Sequence, residues 1–83
     1  MDQREAIERA IFDLLAQRGA RKTICPSEAA RRVRPADWRP LMEATRRVAT
    51  DLADAGRLEV TQRGQVVDPR KAKGPIRLRL AER

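Results

Sequence analysis

The sequence contains no histidine and no tyrosine, and only one cysteine, one tryptophan and one phenylalanine in 83 residues. Without histidine the chain lacks the side chain that titrates near neutral pH and the commonest zinc ligand, which argues against most general acid–base catalysis and most zinc sites. The lone Cys25 cannot form a disulfide within the chain or half of a zinc knuckle. Papain-like cysteine chemistry would need a histidine partner, so Cys25 reads as a small buried residue in a reducing, cytoplasmic setting. The four glycines fall at predicted helix ends and turns and make no phosphate-cradling loop. No apolar run approaches the roughly 20 residues that cross a bilayer, and the opening MDQREAIERAIF is amphipathic, unlike a signal peptide. The expectation is a protein without membrane segment, metal, cofactor or small-molecule ligand, and without enzymatic activity of its own. The carboxylates Asp2, Glu5, Glu8 and Asp13 are spread along a solvated helix face and form no catalytic pair. The length allows a single domain spanning residues 1–83. Such a domain buries only about 60% of its unfolded surface, so its large apolar side chains are needed for one core.

What the chain has in excess is positive charge. Lys and Arg number 19 against 12 Asp and Glu, for a net charge of +7 and an isoelectric point near 11.2. The excess sits in two stretches. Residues 21–40 carry six basic and two acidic side chains, and residues 57–83 carry eight and three. Charge this uneven predicts a basic face suited to nucleic acid, against the plainer alternative of a chain simply rich in arginine.

Periodicity supplies the architecture. Ile7, Ile11, Leu14 and Leu15 recur at helical spacing and predict a first helix from Asp2, its cap, to Arg18, with Gly19 as the stop. Phe12 falls at the edge of that stripe. Thr23 and Ile24 predict a brief strand. Pro26 suits the first turn of a second helix running to Val33, with Ala29, Ala30 and Val33 inward and Glu28, Arg31 and Arg32 outward. Asp37 is the expected cap of a third helix from Trp38 to Ala55, with Leu41, Ala44, Thr45, Val48, Leu52 and Ala55 buried. Leu58 and Val60, then Ile76, Leu78 and Leu80, alternate with polar residues as in half-buried strands. Between them Arg63-Gly64 can turn the chain, and Pro69 and Pro75 punctuate a long basic tip bearing Arg70, Lys71 and Lys73, offset by Asp68. The order is that of a mainly α fold with a small antiparallel β-sheet: a winged helix-turn-helix, three helices plus a β-hairpin wing.

The runs TICPSEAARRV, DWRPLM and GRLEVTQRGQVVDPRKAKGPIRLRL resemble a family of short bacterial winged-helix-like proteins of unknown function, from about Ile7 to Leu80. Cys25-Pro26-Ser27-Glu28-Ala29-Ala30 and Gly74-Pro75-Ile76-Arg77 are the most specific pieces. The resemblance implies the fold and no activity.

Within that fold the third helix is the one that enters a major groove. Its outward face offers Arg39, Arg46, Arg47 and Thr50 as base or phosphate contacts. Glu43 and Asp54 dilute that face, and the alternative is a solvated surface with a Glu43–Arg47 pair at i, i+4 spacing. On the wing, Arg70, Lys71 and Lys73 are placed to meet backbone phosphates. Arg31 and Arg32, with Arg34, cluster at the turn between the second and third helices. Arg77 is open to either role, whereas Arg79 is expected to pair with Glu59 across the strands. Trp38 is expected to pack against the second helix. The partner these residues point to is DNA, in a regulatory or accessory role, with RNA or a protein partner as the alternatives. An adaptor that uses the winged-helix fold for protein–protein interaction is the rival function.

Overall fold

A computed structural model describes residues 2–81. Helix α1 spans Gln3–Arg18, α2 Pro26–Val33 and α3 Met42–Asp54, the last preceded by a 3-10 turn at Arg39–Leu41. Strands β1 (Leu58–Gln62), β2 (Gln65–Val66) and β3 (Arg77–Leu80) follow. They form one antiparallel sheet in the order β2-β1-β3.

Each helix begins and ends for a local reason. The Asp2 carboxylate accepts the Glu5 N–H at 2.8 Å, satisfying one of the free donors of the first turn of α1. At the other end Gly19, at φ +101°, takes a backbone conformation that side chains disfavour, and its N–H closes on the Leu15 carbonyl. Helix α2 starts at Pro26, whose missing N–H costs nothing there. Glu28, expected to face solvent, instead turns back so that its carboxylate accepts the Cys25 N–H at 2.7 Å. The third helix opens later than predicted. Asp37 does not cap it, and its carboxylate lies 4.0 Å from the Arg34 guanidinium. The chain enters α3 through the tighter 3-10 turn, in which the Leu41 N–H donates to the Trp38 carbonyl at 2.9 Å. Pro40 lies inside that turn, where it has no N–H to offer a regular helix.

The core lies where the three helices meet the sheet. Ile7, Ile11 and Leu15 from α1, Ala29 from α2, and Val48, Ala49 and Leu52 from α3 pack with Ile24, Leu58, Val60, Ile76 and Leu78. Burial of each large aliphatic side chain contributes about 1.5–3 kcal/mol. Several positions differ from the periodicity: in α3 Ala49 is buried, Ala44 only half-buried and Ala55 exposed, the last because α3 ends at Asp54, and in the sheet Thr61 is buried while Leu80, at the end of β3, is exposed. Thr45, buried within α3, donates its hydroxyl to the Leu41 carbonyl at 2.8 Å. The predicted brief strand contracts to a single bridge, Ile24 opposite Leu78, with backbone hydrogen bonds of 2.9 and 2.8 Å.

The wing is built differently from the expected hairpin. Residues Gln62 and Gln65 pair across a two-residue turn in which both Arg63 (φ +52°) and Gly64 (φ +80°) are left-handed. That turn is the true tip. The chain then returns as β2, and the segment from Val67 to Pro75 crosses to the far side of β1 before β3 begins. Gln62 holds this crossing by donating its side-chain amide to the carbonyls of Lys73 (2.8 Å) and Pro75 (3.1 Å). Val67 and Ala72 pack against the core. The basic stretch is therefore a docked loop and not an extended tip.

Candidate nucleic-acid interface

Helix α3 carries three carboxylates, and each is engaged. Glu43 meets Arg47 at 3.2 Å on the same helix, and Asp51 meets Arg4 of α1 at 2.9 Å. Asp54 receives both terminal nitrogens of Arg70 from the docked loop. The hydrogen bonds from Arg70, aided by its charge and opposed by partial desolvation, hold the Asp54 carboxyl below its ordinary value; the same bonds raise Arg70. The sequence offered Asp68 as the only charge offsetting Arg70, and this is corrected by the fold. Asp68 is a secondary partner, 3.9 Å from the Arg70 guanidinium, and its carboxylate caps the loop by accepting the Arg70 N–H at 2.9 Å.

The other predicted contacts divide into three groups. Arg47 and Arg77 are occupied. Arg47 pairs with Glu43, and Arg77 donates to the Thr23 hydroxyl at 2.9 Å and to the Thr23 carbonyl at 3.3 Å. Thr50 donates its hydroxyl to the Arg46 carbonyl at 2.9 Å. Arg31 and Arg39 stack on Trp38, which lies half-buried at the join of α2 and α3. The third group is unengaged. Among the described residues, the side chains of Arg32, Arg46, Lys71 and Lys73 have no ion-pair or hydrogen-bond partner. The same holds for Arg63, whose sequence context marks it only as a turn residue. Arg63 and Lys73 line one open hollow with Gln62, Gln65, Val67 and Pro75. The signal that could have found Arg63 was the two-residue spacing of Gln62 and Gln65, which puts its side chain at the wing apex.

Three further arginines hold the scaffold together. Arg18 reaches Glu28 at 2.5 Å, and that hydrogen bond, against a desolvation cost, keeps the Glu28 carboxyl below its usual range. Arg57 pairs with Glu8 at 2.9 Å and lies over the Phe12 ring at 4.6 Å. Arg79 meets Glu59 at 2.7 Å in the predicted register, with Val60 opposite Leu78. Among the described residues, scaffold pairing thus consumes acidic side chains and leaves cations over on α2, on α3 and on the wing, and also at Arg9 of α1 and at Lys22.

Among the described residues no helix is long and apolar enough to cross a membrane. No curated protein matches the chain. A family whose description reads "Protein of unknown function (DUF3253)" matches residues 4–81. With nearly its whole length inside that match, the chain belongs to this family of unknown function.

Proposed function

We propose that the protein is a non-enzymatic nucleic-acid-binding module of the bacterial cytoplasm that binds DNA through α3 and its wing, in a regulatory or accessory role. The observation that carries this reading is the charge left over after pairing. All three carboxylates of α3 are matched by arginines, so the acids that dilute its outer face are neutralised in place. Arg46 on that helix, Arg32 on α2, and Arg63, Lys71 and Lys73 on the wing stay open to phosphate. Arg70 plays a different part from the one its sequence position implies: it secures the loop that displays Lys71 and Lys73.

The test is a titration of a labelled random duplex at low and moderate salt. Dissociation constants of about 10⁻⁴–10⁻⁶ M that weaken steeply with salt are expected. Binding no tighter than about 10⁻⁴ M at low salt removes the proposal. The adaptor reading has one observation in its favour: Val66, on the edge strand β2, is 60% exposed beside unpaired backbone. It predicts binding that survives moderate salt and is lost when Val66 is replaced by lysine.

A further inference from the structure

Trp38 joins the two helices of the helix-turn-helix and carries one arginine from each side of the connection. The Cζ of Arg31, on α2, lies over the indole at 4.4 Å from the ring centroid, and the Cζ of Arg39, at the start of the 3-10 turn, lies at 4.7 Å. Both arginines are solvent-exposed. Among the described residues no carboxylate or carbonyl takes up their N–H groups. The adjacent acid, Asp37, turns toward Arg34. Six other arginines, Arg4, Arg18, Arg47, Arg57, Arg70 and Arg79, each reach a carboxylate.

A guanidinium stacked on an aromatic face is held by the ring while its N–H fork stays free in its own plane. That fork matches the oxygens of a phosphate, and the pairing is charge-assisted. Two forks fixed on one indole lose less side-chain freedom on binding than two arginines in free solution. We propose that Arg31 and Arg39, held on Trp38, form a phosphodiester clamp that grips the nucleic-acid backbone beside α3. The clamp rests on the nucleic-acid reading above. Within it Trp38 is a positioning residue, contributing order and no charge.

Trp38 is the chain's only tryptophan, and tyrosine is absent, so intrinsic emission reports on this site alone. Unlabelled random duplex is expected to change that emission with the same midpoint as the anisotropy of a labelled duplex. The exposed pair Arg31→Gln/Arg39→Gln is expected to flatten the slope of log affinity against log salt by about 1.8. Trp38→Leu is expected to weaken binding roughly five- to tenfold with the slope unchanged, and Trp38→Phe to recover most of that loss. Circular dichroism checks the fold of each variant, and the glutamine pair keeps the test open if Trp38→Leu does not fold. Constant Trp38 emission at saturating duplex, or a wild-type salt slope in the double-glutamine variant, overturns the clamp while leaving duplex binding in place. Failure of the wild-type protein to bind duplex at low salt overturns the clamp and the nucleic-acid reading together.

Discussion

Replacing Asp54 with asparagine isolates the part that intramolecular pairing plays in the proposed interface. In the folded protein Asp54 and Arg70 neutralise one another at the C-terminal end of α3, with side chains 52% and 56% exposed. Asparagine removes the charge, keeping at most a neutral acceptor, and leaves Arg70 with Asp68 as its one carboxylate partner. One more cation then becomes available to phosphate. Each neutralised phosphate adds about 0.9 to the slope of log affinity against log salt. The variant should therefore show a slope steeper by about that amount, equivalent to roughly a threefold larger loss of affinity over a fourfold rise in salt. Folding stability should change little, because half-exposed pairs are screened and side-chain ordering offsets much of their attraction. The assay is anisotropy of a labelled random duplex at several salt concentrations, with a urea melt of each protein alongside. An unchanged slope would show that Arg70 does not meet phosphate even when released. A weaker affinity with a shallower slope would show that the pair serves binding by fixing the loop, and would refute the argument from net charge.

Four further outcomes are expected. Lys71→Ala/Lys73→Ala should flatten the salt slope by about 1.8, and adding Arg70→Ala should change it by less than a further 0.9, measured by the same titration. Glu28→Ala should destabilise the fold by about 1 kcal/mol, chiefly through the lost cap of α2. Because Arg18 lowers the folded value of Glu28, that difference should be complete above the ordinary glutamate value near 4.5 and fade as pH falls through the depressed folded value, as followed by urea midpoints across pH. Leu78→Ala should cost about 2–5 kcal/mol, read as a lower denaturant midpoint at unchanged m, since Leu78 is fully buried between Ile24 and Val60. Arg63→Asn should raise stability by about 0.5 kcal/mol, because asparagine tolerates the left-handed turn better, while flattening the salt slope by about 0.9.

What could be read in advance follows the range of the interactions. Helices α1 and α2 were visible because their caps and stripes lie within a few residues: Asp2 with Glu5, Pro26 at the first position, and the Ile7, Ile11, Leu15 spacing. The β1–β3 register was visible because alternation fixes which residues face the core, and the Glu59–Arg79 pair follows from it. The entry into α3 was misjudged because Asp37 and Pro40 satisfy a helix-start pattern that the chain realises as a 3-10 turn. The wing differs from the pattern because two left-handed residues suffice for a turn, and Arg63-Gly64 supply them well before the prolines. Pairs such as Asp54–Arg70 and Asp51–Arg4 join residues far apart in sequence, and no local pattern marks them. For the candidate site, the types and clustering of the cations were legible. Their division into scaffold and leftover charge was not, since it depends on which carboxylates the fold brings near.

The lone bridge between Ile24 and Leu78 has a consequence for synthesis on the ribosome. It fastens the first third of the chain to a strand made more than fifty residues later, and Ile76 and Leu78 complete the core. Contacts of such long sequence separation form last, so the helices must wait as a loosely packed trio until β3 emerges. A stop codon anywhere before residue 76 would thus yield no partly active fragment, but a chain with its apolar interior uncovered, fit mainly for proteolysis.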